Sequence, residues 1–316
     1  MNEPFLDFTG AQLRSALRHS TEIAHLGTRL AYEWPNHPAR EYFQERLAYA
    51  RAAAMARDED APIDHHVAYA RCFDAKPDGA RFWLDAGMAM RFEAAYTEVT
   101  AAIRSAAPFR KARPLQGALR AQSNKTPAPI RAMERARETR AKSFTQEEAS
   151  IEAQRVLAME GMFPGEPLPV MIEIPRLRAD GDWMIGALAR FREGLETAID
   201  VLDAARAFLA QAETVLGRPT AKPKAAWRAL PVLAGLPTLR SQDLAARLQI
   251  SQKAAIDALE ELTAAGLARE IRGLKSWKVW TANDPFLGLP APPDHQRYFL
   301  PLPGGRHAVI TAKDVA

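Results

Sequence analysis

Cysteine is almost missing from this chain: Cys72 is the only one among 316 residues. No intrachain disulfide can form, and a reducing, cytoplasmic compartment fits. No apolar run approaches the length of a membrane span, so no membrane partner is expected. The N-terminal stretch MNEPFLDFTG opens acidic and has no charged segment followed by an apolar core, so it does not read as a signal peptide. Gly-rich phosphate loops, G-x-S-x-G, H-E-x-x-H and C-x-x-C are all absent. No pair of residues can be given catalytic roles, and the expectation is a protein that is not an enzyme and carries no cofactor or metal. Strand-like alternation is lacking before residue 165.

Charge is present but unevenly spread. The net balance is only +4. Arg110 to Lys142 holds ten Arg/Lys against two Glu, and Trp227 to Ala282 holds eight against five acidic residues. Two basic segments in an otherwise acidic chain point to an anionic polymer as partner. The first segment reads equally well as the solvated face of an Ala-rich helix.

A composition rich in Ala, Leu, Arg and Glu favours helix. Helical spacing recurs over Ala11–Trp34, Ala39–Arg57 and Gly79–Ala106. Pro35 and Pro38 separate the first two, and Asp58–Pro62 reads as an acidic turn. Residues 1–108 thus form an expected N-terminal helical domain, closed by Pro108. Residues 109–130 are basic and broken by Pro114, Gly117, Pro127 and Pro129, which suggests a linker. Residues 131–220 form a second helical region. It contains a helix from about Ile130 to Met162, a loop over 164–182 with a short strand near Val170–Ile174, and a long scaffold helix over Trp183–Leu216. Ile185, Leu188, Phe191, Leu195, Ile199, Leu202 and Phe208 share one face of that helix, and Gly217 with Pro219 ends it. Its alternative roles are a dimerisation surface for a homodimer or a lever; a plain core helix is the simpler reading. Residues 285–316 are a proline-rich tail on which no regular structure is forced.

The most specific segment is 221–284. Trp227–Gly235 reads as a first helix. SQDLAARL, capped by Thr238 or Ser241, reads as a second, with Leu244, Ala245 and Leu248 inward. Gln249-Ile250-Ser251 is a tight turn in which Ser251 caps a third helix, Gln252–Ala265. Ala255, Leu259 and Leu262 face inward there, and Gly266 ends it in the left-handed conformation. Leu267–Arg272 and Trp277–Thr281 then alternate as a half-buried hairpin around the tip Gly273-Leu274-Lys275-Ser276. Helix, helix, turn, helix and ribbon in this order make a winged helix-turn-helix. The fold class is therefore mainly α, a helical N-terminal region followed by three helices and a β-wing.

The stretch DLAARLQISQKAAIDALEELTAAGLAREIRGLKSWKVWTA resembles the winged helix of many bacterial regulators. It is most similar to the C-terminal winged helix of an uncharacterised helix-turn-helix family carried by rhizobial plasmids, and it also resembles winged helices that follow Fic-type catalytic domains. The resemblance implies duplex DNA as partner. It supplies neither a ligand nor a target. The DNA-contacting set that follows is Ser251, Gln252, Lys253, Ile256 and Asp257 on the third helix, with Arg272, Lys275, Ser276 and Lys278 on the wing. Gln252 suits adenine, Lys253 guanine and Ile256 a thymine methyl. Wing cations suit backbone phosphate or the minor groove. Asp257 and Glu260 depart from a typical reader, because both repel phosphate.

Other constellations carry less. Asp64-His65-His66 with Cys72 lacks the further ligands a zinc site needs. His37-Pro38 resembles the opening of the Fic motif, but AREYFQERL follows where the phosphate-cradling glycines, asparagine and arginine belong. Met159-Glu160-Gly161-Met162 reads as a helix end. The expectation is a cytoplasmic, nucleoid-associated bacterial DNA-binding protein, acting as a transcriptional regulator or a plasmid or mobile-element factor. The alternative is a non-catalytic protein-interaction scaffold whose winged helix does not touch DNA. A weaker third reading is an enzyme of unrecognised family.

Overall fold

The computed structural model describes residues 8–56, 86–109, 126–142, 145–170, 182–271, 278–284, 287–288, 298–301 and 307–310. Within these the chain is mainly helical: α1 Gly10–Glu33, α2 Arg40–Ala56, α3 Ala86–Ser105, α4 Ala128–Ala141, α5 Gln146–Met159, α6 Asp182–Leu216, α7 Ala225–Gly235, α8 Ser241–Leu248 and α9 Gln252–Ala264. The strands are β1 Leu239–Arg240, β2 Ala268–Ile271, β3 Val279–Ala282, β4 Tyr298–Pro301 and β5 His307–Ile310. Among the described residues no helix is long and apolar enough to cross a membrane. Two units divide the chain. The first takes residues 1–37 and 98–200, the second residues 38–97 and 201–316.

In the first unit, α1 starts from a reciprocal cap. The Thr9 hydroxyl accepts from the Gln12 amide at 3.3 Å, and the Thr9 amide donates to Gln12 Oε1 at 2.8 Å. Ala16, His19, Ser20, Ile23, Gly27 and Leu30 form its buried stripe. A Cβ on Gly27 would run into the Met162 carbonyl, so only glycine fits that approach. Gln12 reaches Asp182 at 2.7 Å and Glu22 reaches Arg192 at 3.1 Å. Partners ten residues apart on both helices mean that α1 and the start of α6 run in the same direction.

One helix was expected from about Ile130 to Met162; the structure divides it into α4 and α5. Thr145 caps α5 with a capping box, its hydroxyl accepting from the Glu148 amide and the Glu148 carboxylate accepting from the Thr145 amide. α4 begins at Ala128 with Pro129 in its first turn, so the basic stretch expected to be linker to residue 130 is already helical there. Gln154 is fully buried and acts as a backbone partner for Leu168, donating at 2.7 Å and accepting at 2.8 Å. This pins the non-helical segment 167–170. Residue 170 is not in a strand, and residues 171–174 of the expected short strand lie outside the described residues. Glu160 follows the end of α5, where it pairs with Arg131 at 2.6 Å.

In the second unit, Tyr49 of α2 stacks with Phe92 and Tyr96 of α3. Leu202, Ala205, Phe208 and Ala212 of α6 are buried, and Gly217, at φ 76°, ends that helix. α2 packs along α7, where Gly235 leaves room for Tyr42. α7, α8 and α9 pack together beside a three-stranded antiparallel sheet of order β1-β3-β2. Ala268 pairs with Ala282 and Ile271 with Val279; Leu239 of β1 pairs with Trp280. The short strand β1 was not expected, and its two residues are too few to show a period. Trp280 and Thr281 are fully buried. The proline-rich tail, to which no regular structure was assigned from sequence, contains the pair β4–β5, with Tyr298 opposite Ile310 and Pro301 opposite His307. Pro301 takes the terminal position of its strand, where the missing donor matters least.

Candidate nucleic-acid interface

The site is assembled on α8, α9 and β3. Leu244, Ala245 and Leu248 bury one side of α8. Its N-cap is Arg240, with no side-chain cap bond, where Thr238 or Ser241 was expected. Arg240 instead grips Asp243 of the first turn through two bonds, at 2.7 and 3.1 Å. Gln249 ends α8 at φ 54°, in the left-handed region. The Ile250 amide then closes on the Ala245 carbonyl at 3.0 Å. That single left-handed residue turns the chain sharply enough for α9 to begin three residues later, at Gln252.

Ser251 caps α9, its Oγ accepting from the Ala254 amide at 3.2 Å. The hydroxyl proton is therefore what Ser251 can offer to a ligand. Ala255, Ala258, Leu259 and Leu262 are buried, which leaves Gln252, Lys253, Asp257, Glu260 and Glu261 exposed and Ile256 half-buried. Ala265 closes the helix, and Gly266 follows at φ 71°.

The charges on this face are already engaged. Lys253, with 84% of its side chain exposed, sits 3.3 Å from Asp257 one turn on. Lys278 donates to Glu260 at 3.3 Å and lies 3.4 Å from Glu270 of β2. The bond to Glu260 holds its ammonium above the ordinary lysine range; desolvation opposes this and the Glu270 charge adds to it. Lys278 also stands over the Trp280 ring at 5.9 Å. Lys253 and Lys278 thus share a surface with four carboxylates, Asp257, Glu260, Glu261 and Glu270. Lys278 was expected to place positive charge on the wing tip; in the structure its ammonium lies against Glu260 of α9 and Glu270 of β2. Arg272, Lys275 and Ser276, the other expected wing contacts, lie outside the described residues.

The end of the site near the turn has a different character. Arg228 in the first turn of α7 donates to the Leu248 carbonyl at 2.6 Å, capping α8 with a cation where its dipole favours one. Arg247 is balanced by Glu45 at 2.9 Å. Ahead of α7, residues 217–224 are exposed throughout. They carry Arg218, Lys222 and Lys224, and no Asp or Glu occurs anywhere from Thr214 to Gln242. The lead-in precedes Trp227 and so lies outside both basic segments read from sequence; its signal is an acid-free run of 29 residues with five cations.

Among the described residues no group of His, Cys, Asp and Glu could hold a metal ion; Asp64, His65, His66 and Cys72 lie outside them. His37 is buried and follows the 3-10 turn Trp34–Asn36 as its C-cap. No family model matches the chain, and no curated protein matches it.

Proposed function

We propose that residues 225–282 form a winged helix-turn-helix that binds duplex DNA. α7, α8 and α9 are its helices and β2–β3 its wing. The protein then acts as a bacterial transcriptional regulator or a plasmid or mobile-element factor, as the resemblance of residues 243–282 implies. The observation that carries this reading is the α8–α9 corner. Two short helices meet at a three-residue turn, pack on a third helix and lie beside an antiparallel sheet whose last two strands flank residues 272–278. In such modules the second helix of the corner enters the major groove by its N-terminal end. Gln252 and Lys253 then lie nearest the base edges, the Ser251 hydroxyl meets a phosphate, and Ile256 reaches a thymine methyl.

Selection from a random duplex library with the intact chain tests the reading. It predicts an enriched motif and, for Gln252→Ala, relaxed preference at one position, a loss of about 1–3 kcal/mol there. Enrichment of no motif by the wild type overturns it.

One observation favours a second reading, in which the module contacts protein and no nucleic acid. The C-terminal half of the exposed α9 face is acidic, through Asp257, Glu260 and Glu261, with Glu270 beside it. Asp257→Ala separates the two. On DNA the substitution removes a charge that repels phosphate and tightens binding to every duplex; on a basic protein partner it weakens the complex.

A further inference from the structure

The lead-in to α7 is exposed along its whole length and carries three cations and no carboxylate. Its position follows from one bond. Arg228 reaches the Leu248 carbonyl, so the first turn of α7 stands at the turn between α8 and α9. Lys224 immediately precedes that helix and Lys222 lies two residues earlier. At about 1.5 Å per helical residue, the end of the lead-in at Lys224 lies just over one helical turn from Arg228. It therefore enters near the turn that joins α8 to α9.

The chain here has restricted freedom and bends at residues 221–222. Gly217 ends α6 in the left-handed conformation. Pro219 and Pro223 limit the backbone freedom of the eight residues GRPTAKPK. The Thr220 hydroxyl donates to the Lys222 carbonyl at 2.9 Å, which ties down the middle. Arg218, Lys222 and Lys224 are exposed, and no carboxylate pairs with them among the described residues. Lys253 and Lys278, by contrast, are both held by carboxylates.

We propose that the segment 217–224 is the phosphate-contacting arm of this module, with Arg218, Lys222 and Lys224 following the sugar–phosphate backbone of a duplex whose groove receives the start of α9. The inference rests on the DNA-binding reading and assigns its electrostatic part to a segment outside the helices and the wing. Three cations with no carboxylate partner among the described residues, on a semi-rigid arm, suit a regularly spaced polyanion. They recognise charge and carry no base information.

The test compares the intact chain with R218A/K222A/K224A on a random-sequence duplex at several salt concentrations. A matched control, R14A/R18A/R104A, removes three exposed cations from helices of the first unit. Each phosphate neutralised contributes about 0.9 to the salt slope. The arm variant is expected to lose up to about 2.7 of slope, equal to about a 40-fold smaller drop in affinity between 50 and 200 mM salt. The control keeps the wild-type slope. Thermal unfolding of all three proteins coincides, because every replaced side chain is exposed. A wild-type slope in the arm variant, or an equal loss in the control, overturns the inference and leaves the DNA reading standing. Failure of the wild type to bind any duplex overturns both.

Discussion

Replacing Glu260 and Glu270 together by Gln should convert Lys278 into a DNA contact. In the folded protein Lys278 stands 3.3 Å from Glu260 and 3.4 Å from Glu270. A phosphate approaching this surface meets two lysines among four carboxylates. Glutamine keeps the size and an acceptor oxygen but removes the charge. For a carboxylate ~7 Å from a phosphate in water, Coulomb repulsion is about 0.6 kcal/mol; salt at ~0.15 M roughly halves that. Two such groups acting on more than one phosphate give about 1 kcal/mol, or roughly fivefold in affinity. Lys278 gains a phosphate as its partner, which adds about 0.9 to the salt slope. The ion pairs given up are exposed or half-exposed and contribute at most about 1 kcal/mol to stability, so the fold should survive. Anisotropy titrations of wild type and E260Q/E270Q against one duplex at several salt concentrations read both effects. An affinity and a slope that both stay at wild-type values would show that this edge of α9 and β3 does not face DNA.

Two further outcomes test the packing of the first unit. Gly27→Ala places a methyl against the Met162 carbonyl, and backbone yields less readily than a side-chain tip, so urea unfolding should show a loss of about 1–3 kcal/mol; an unchanged midpoint would contradict the close approach. His19 is buried, and desolvation, reinforced by the charges of Arg192 and Arg18 and opposed by Glu22, holds its imidazole below its ordinary value of 6.5. The unfolded chain then binds a proton that the folded chain refuses, so this contribution is complete above the unfolded value and declines as pH falls from it towards the folded pKa. His19→Gln should flatten the dependence of the urea midpoint on pH between about pH 7.5 and about pH 5.5, and an equally steep dependence in the variant would remove His19 as its source.

The elements legible in the sequence are those with many residues per period or with distinctive punctuation. α6 was visible because Leu188, Phe191, Leu195, Ile199, Leu202 and Phe208 repeat on one face and are all buried, with Gly217 at its end. The inward face of α9 was visible for the same reason, from Ala255, Leu259 and Leu262. The break between α4 and α5 was missed because no Gly or Pro marks it. Its signal was the capping-box sequence Thr145-Gln146-Glu147-Glu148, a hydroxyl followed three residues later by a carboxylate. β1 was missed because two residues carry no alternation; its existence depends on pairing with β3, some 40 residues later. The acidity of Asp257 and Glu260 was readable from the sequence. The capture of Lys278 by Glu260 and Glu270 was not, because it depends on the register of β2 with β3 and on where α9 crosses them. Arg228 likewise reveals the position of the basic lead-in only through its bond to Leu248.

The most direct measurement is a titration of the intact protein with a labelled random-sequence duplex from 50 to 200 mM salt. Saturable binding is expected, with log affinity falling linearly with log salt and a slope of several units because several phosphates are neutralised. No binding even at the lowest salt, from protein shown to be folded, would contradict it and leave the acidic face of α9 as a surface for protein partners.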